Sequence, residues 1–150
     1  MTDFSDFDAL RAAVGTEIGT GDWFEIDQSR IDGFAEATDD RQWIHVDAER
    51  AARGPYGATI AHGFLTLALL APITQQLMSV GSARMAINYG LDKVRFISPV
   101  LVGSRVRGTV TLNSVTDVPG GVQAERTVTI TAEGAEKPAC VAVHLVRYLS

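Results

Sequence analysis

Between Phe64 and Ile73 the chain reads FLTLALLAPI, apolar on nearly every side of a helix. A helix with no wet face has to be enclosed on most sides by other structure. The run is about half of the roughly 20 residues that span a bilayer, so it reads as a buried core helix. Pro72 removes one backbone donor from it and predicts a bend. What encloses the helix is legible further on, where the period changes. In SRVRGTVTLNSV, Val106, Val110 and Leu112 fall on one face, and Arg105, Arg107, Thr109, Thr111 and Asn113 on the other. VQAERTVTITAEG alternates likewise, with Gln123, Glu125, Thr127, Thr129, Thr131 and Glu133 on the wet side. Both predict half-exposed antiparallel strands. ACVAVHLVRYL, apolar on both faces for much of its length, predicts a central strand, and INYGLDKVRFISPV a fourth. These pieces fit together when a curved antiparallel sheet wraps the helix, an α+β architecture.

No repeat, low-complexity tract or linker divides the 150 residues, and 46% of them are hydrophobic, so one domain over 1–150 with one sizeable core is expected. The net charge of −5 argues against nucleic acid as the main partner, because phosphate binding needs a basic surface. A single cysteine, Cys140, excludes an intramolecular disulfide and fits a reducing compartment. The acidic start MTDFSDFDALRAAVG has no basic segment followed by an apolar one, so no secretion signal is read and the expected location is cytoplasmic. Ahead of the apolar helix, FDALRAAV predicts a short helix ended by Gly15 and GDWFEI a short strand. DQSRIDGFAEAT predicts a helix capped by Asp27, and DAERAAR one capped by Asp47 and stopped by Gly54-Pro55.

Chemistry concentrates in DDRQWIHVD, residues 39–47, where Asp40 and His45 flank a hydrophobic Trp43-Ile44 pair. Five residues apart, they lie about 140° from each other on a helix and on opposite faces of a strand. They converge only if 39–45 is an irregular loop that folds back, with Trp43-Ile44 as its anchor. On these two residues alone, a solvated surface turn with a packed histidine is the simpler reading. The second feature is TIAHGFLTLALL. There the Gly63 amide opens the buried helix, where the first amides have no intrahelical partner and glycine admits close approach. Alone, Gly63 is again more simply a plain helix start and His62 a packed side chain. Together the two features describe a carboxylate–imidazole pair able to hold and deprotonate water, beside an amide able to stabilise an oxyanion. Other chemistries fit less well. There is no GxSxG elbow, no GxxxxGK[ST] or GxGxxG loop, and no HExxH or paired-cysteine spacing among the three histidines His45, His62 and His144, so no metal site is read.

At these residues the chain resembles the MaoC-like (R)-specific enoyl-CoA hydratases. Their signature is an aromatic-led helix, Gly-Asp-x-Asn-Pro-x-His and then a small residue. It is similar to FAEATDDRQWIH at 34–45, with Ala51 following. An aromatic followed by Ile-x-His-Gly is matched by YGATIAHG at 56–63, and KVRFISPVLVGSRV at 93–106 is similar to a third block. Asp39 stands for the family's Gly, Gln42 for its Asn and Trp43 for its Pro; aspartate tolerates a left-handed backbone better than most residues. The resemblance implies a hot-dog fold and a homodimer with acyl-CoA sites near the subunit interface; with no apolar run long enough to span a bilayer, no membrane association is expected. It also implies reversible syn hydration of trans-2-enoyl-CoA to (R)-3-hydroxyacyl-CoA. Asp40 and His45 would then share the water and its protons, and the Gly63 amide would bind the thioester oxygen. Tyr56, Ile60, His62 and Asn88 are expected to line the substrate site. No metal or redox cofactor is implied, CoA being part of the substrate.

Arg84, Lys93 and Arg95 are candidates for the CoA phosphates, as cations near a pocket mouth. Two other readings remain open: a thioesterase on the same fold, and a non-catalytic acyl-CoA-binding or partner subunit.

Overall fold

The computed structural model describes residues 1–150. It begins with β1 (Thr2–Phe4), α1 (Phe7–Ala12), β2 (Glu17–Thr20) and β3 (Phe24–Ile26). Three helices follow, α2 (Gln28–Thr38), α3 (Trp43–Val46) and α4 (Ala48–Ala52). The apolar segment forms α5 (Gly63–Ala68) and α6 (Leu70–Leu77), after which come β4 (Met78–Val80), β5 (Met85–Phe96), β6 (Ser104–Val118), β7 (Gly121–Ala132) and β8 (Cys140–Leu149).

The main sheet runs β2-β6-β7-β8-β5, with β3 also on β6, and every pairing in it is antiparallel. The alternation read from the sequence is the alternation of burial. Val106, Val110, Leu112, Val128 and Ile130 are fully buried against the helices, while their neighbours face outward. The hot-dog arrangement follows, with the sheet curled around α5–α6. The closest approach is at Gly108, where a Cβ would lie 2.6 Å from Ile73, so the absence of a side chain on β6 is what lets α6 settle onto the sheet. The expected caps are present: Asp27 accepts from the Arg30 amide and Asp47 from the Arg50 amide.

The structure shows the bend expected at Pro72, sets the helix end and corrects its enclosure. The helix is broken at Leu69, which has φ −68° and ψ −8°, just ahead of Pro72. A proline ring clashes with the carbonyl four residues back, here that of Ala68, so the interruption falls where the sterics place it. The helix stops at Leu77, because Met78–Val80 leaves it to pair in parallel with β1. It also keeps an open side: Phe64 is 66% exposed, and Leu67, Ala71 and Pro72 are only half-buried. That open side lies beside β5, the edge strand, which is itself exposed along most of its length. No helix is long and apolar enough to cross a membrane.

Candidate active site

α2 ends where Asp39 adopts a left-handed conformation, φ 59° and ψ 17°, the one non-glycine residue in the chain with positive φ. Arg41 fastens this turn, donating from Nη1 to Asp39 at 2.7 Å and from Nε and Nη2 to the two Glu36 oxygens at 3.0 Å. The chain then re-enters a single helical turn, α3, so the irregular stretch is 39–42 rather than 39–45. His45 sits on a helix, not a loop. The turn does the folding back, and α3 presents the ring. Trp43 anchors α3 by packing over Gly54 and under the Arg50 guanidinium at 4.4 Å, and both it and Ile44 are half-buried.

His45 is buried, and its Nδ1 lies 2.6 Å from the Ile60 carbonyl oxygen. A carbonyl only accepts, so Nδ1 carries the proton and Nε2 presents a lone pair. Burial holds the ring below the ordinary histidine range, against weaker upward pulls from the Ile60 bond and the Asp40 charge. The imidazole is therefore neutral at neutral pH, with its basic nitrogen free.

His62 holds the residue position just ahead of α5 and is 2% exposed. Its Nε2 donates to the Asp40 backbone carbonyl at 2.9 Å, and its ring stacks on His45 with centroids 3.8 Å apart and planes 23° from parallel. One histidine thus holds the backbone of Asp40 and the face of His45 together. A carboxylate oxygen of Asp40 and one ring nitrogen each of His45 and His62 lie within 4.8 Å of one another. Asp40 is exposed and the two rings are buried, so the carboxylate forms the wet side of the cluster. These donors are of metal-ligand types, although the two rings are stacked with planes 23° from parallel. An ion in the plane of one ring lies out of the plane of the other, whereas zinc–histidine bonds need convergence at about 2.0–2.1 Å.

Gly63 follows directly, and its amide has no acceptor in the chain, while the amides of Leu65 and Thr66 return to the His62 carbonyl. A Cβ at Gly63 would meet the Phe96 ring at 3.1–3.2 Å, so glycine lets that ring cover the helix start. Gly63, Tyr56, Ile60, Thr66, Phe96 and Pro99 border one hollow of about 290 Å³. The Asp40–His45–His62 cluster and this hollow meet along segment 60–63, through the Ile60 carbonyl and the His62–Gly63 bond. Asn88 points to the concave face of β5 but farther along, bordering two other cavities beside α5 and α6. Lys93 and Arg95 lie on the outer face of β5 with Val141 and Val143. Arg84 does not join them: it precedes β5, at the strand end opposite Phe96, and borders the cavity under α6.

Two residues escaped the sequence reading. Gln28 donates from Nε2 to the His45 carbonyl at 2.7 Å and accepts the Thr59 hydroxyl at 2.6 Å, tying α2, α3 and segment 59–60 together. Nothing in a glutamine at a helix start announces this. Arg126 is 2% exposed on the dry face of β7. For it the signal existed, since alternation assigns position 126 to the inside.

Residues 9–134 match the family model described as MaoC like domain. A curated relative from Mycobacterium tuberculosis, named 3-hydroxyacyl-thioester dehydratase Z, is 53% identical over 151 aligned residues covering 100% of both chains. Among solved structures, the monoamine oxidase regulatory protein from Archaeoglobus superposes with a TM-score of 0.82 at 21% identity, covering 99% of this chain and 97% of that one. The (R)-hydratase of A. caviae involved in PHA biosynthesis superposes at 0.73 and 22% identity, over 89% of this chain and 98% of that one. At such identities the two structural likenesses speak for the fold.

Proposed function

The chain belongs to the MaoC-like domain family, and from that premise we propose that it is a hydro-lyase that reversibly hydrates trans-2-enoyl-CoA to (R)-3-hydroxyacyl-CoA. The observation that carries this is the Asp40 carboxylate lying within 4.8 Å of a ring nitrogen of a neutral, buried His45 whose Nδ1 proton is committed to the Ile60 carbonyl. The name of the 53%-identical relative supports the same class of reaction.

In this reading a water molecule rests between Asp40 and His45. As its oxygen attacks the β-carbon, Nε2 takes one proton and the thioester carbonyl gains enolate charge, which the free Gly63 amide receives. The Asp40–His45 pair then returns a proton to the α-carbon from the same face. One water is added across the double bond, with syn geometry, and no other reactant is consumed. His62 keeps the pair in register, and the substrate's reacting end occupies the hollow beside Gly63 and Phe96.

The test is to supply crotonyl-CoA and resolve the product by chirality, with saturated acyl-CoA as a parallel substrate. Formation of (R)-3-hydroxybutyryl-CoA with no thiol release from the saturated thioester is expected. Release of free CoA would favour the thioesterase instead. The protein also works as a homodimer in this account. Exposed apolar side chains at Phe64, Met85, Ile87, Leu91 and Ile97 sit on or beside the unpaired edge of β5, a surface that a second copy would cover. Sizing in solution is expected to give twice the chain mass.

A further inference from the structure

Arg126 has no role in the hydration chemistry, yet it is buried between the two apolar clusters of the core. Its Nη1 donates to the Tyr148 hydroxyl at 3.0 Å and approaches the Met78 sulfur at 3.6 Å, and its Nη2 donates to His144 Nδ1 at 3.0 Å. Its Nε is buried and has no partner. None of the chain's ion pairs involves it. Burying a cation without a counter-charge is strongly unfavourable, and natural folds seldom leave one so. Its bonded partners, Tyr148, Met78 and His144, are neutral and leave the charge uncompensated. Because His144 Nδ1 accepts from Arg126, its Nε2 carries the proton and is left as a donor with no partner in the chain. Burial, then the Arg126 charge, pushes His144 down to about 4, so the ring stays neutral.

The cluster lies at the seam of two cavities along the open side of α5–α6. One, of about 270 Å³, is bordered by Thr74, Met78, Arg84, Arg126 and Tyr148. The other, of about 280 Å³, is bordered by Leu67, Ala68, Leu70, Leu91 and His144. Ala71 and Asn88 border both, and no aspartate or glutamate lines either. The second cavity has the apolar walls a methylene chain needs. Eight residues separate Gly63 from Ala71, about 12 Å at the helical rise. An acyl chain whose thioester oxygen sits at the Gly63 amide and which follows the helix would therefore end at the level of Ala71, which borders the same cavity as Asn88 and His144.

We propose that this trough selects acyl chains ending in a carboxylate, which His144 Nε2 and the Asn88 amide receive, with the Arg126 guanidinium behind the His144 ring supplying the opposite charge. The inference rests on the hydratase reading of the Asp40 site. A buried guanidinium behind the free His144 donor, with no acid lining either cavity, calls for formal negative charge rather than a methyl end. The apolar approach to it calls for a chain-borne group rather than a free ion.

The experiment uses the full chain and trans-2-enoyl-CoAs of about ten carbons, matched to the 12 Å span, ending in either a methyl or a carboxyl group. The parent is expected to favour the carboxyl-ended substrate in kcat/KM by about 10- to 100-fold, the worth of one or two charge-assisted hydrogen bonds. In Arg126→Met that ratio is expected to fall to one or below. Arg126→Lys, which keeps the charge should the methionine variant fold poorly, is expected to retain part of the preference. A parent that prefers the methyl-ended substrate, or a preference that survives in Arg126→Met, overturns the proposal. So does inhibition by a free medium-chain dicarboxylate without any substrate preference, which would assign the cluster to a free acid. Crotonyl-CoA is too short to reach the cluster, so its hydration by the parent reports separately on the Asp40 reading.

Discussion

Replacing His62 by phenylalanine separates what the second histidine does from what the acid–base pair does. A phenyl ring keeps the volume and the stacking surface against His45, but it loses the Nε2 bond to the Asp40 carbonyl. Asp40 is exposed, so water replaces the lost donor and the fold suffers little, about 1 kcal/mol. That corresponds to a fall in Tm of roughly 2–4 °C for a chain of this size. Turnover is a different matter. The carbonyl bond is what sets the Asp40 backbone relative to the His45 ring, and a displacement of about 1 Å in a reacting group costs up to about 100-fold. The expected result, from the fall in enoyl-thioester absorbance during crotonyl-CoA hydration, is kcat reduced by about one to two powers of ten with KM little changed. His62→Gln, whose amide can still donate, is expected to recover part of the loss. If His62→Phe keeps the parent's kcat while its Tm falls, the positioning role is wrong and His62 is merely core.

Lowering the pH is expected to destabilise the protein before its carboxylates titrate. The folded-state pKa values of His45 and His144 both lie below the unfolded histidine value, His144 at about 4, so between about 6.5 and 4 the unfolded chain binds more protons. Stability is then full above about 6.5 and declines as pH falls toward 4. His144→Gln should flatten that slope in thermal melts, and an unchanged slope would exclude His144 as its source. Turnover, which needs neutral His45, should fall with acidity in the same direction. Gly63→Ala places a methyl 3.1 Å from the Phe96 ring, pushing the ring toward the substrate's seat; a loss of roughly tenfold or more in kcat/KM is expected. Pairing it with Phe96→Leu should restore most of that loss, and failure to do so would locate the damage in the amide itself.

How much of this was legible beforehand depends on whether a feature is local. The period-2 strands, the Asp27 and Asp47 caps and the bend ahead of Pro72 follow from short-range rules, and the sequence carries them in full. The convergence of Asp40 and His45 was legible as a requirement, since no regular element brings residues five apart together. Its means were not. The left-handed Asp39 was foreseeable from aspartate's tolerance of that conformation, but the Arg41 clamp on Glu36 and Asp39 depends on rotamers that no spacing encodes. The end of α6 at Leu77 was hidden too, because MSV leaves the helix to pair with β1, a partner more than 70 residues away. The open flank of α5 was misjudged for a related reason. An all-round apolar helix says that it must be covered, not that its own chain covers it. Gln28 is illegible because its work is done entirely through contacts distant in sequence.

The central claim is that Asp40 and His45 act on one water molecule. Asp40→Asn tests it most directly, because the side chain is exposed and the His62 bond that holds the loop goes to the backbone, which the substitution leaves in place. Crotonyl-CoA hydration by purified Asp40→Asn should fall by about two to four powers of ten, the usual span for a lost acid–base group. Its stability should stay within about 0.5 kcal/mol of the parent. A folded Asp40→Asn variant that hydrates crotonyl-CoA as fast as the parent would contradict the account.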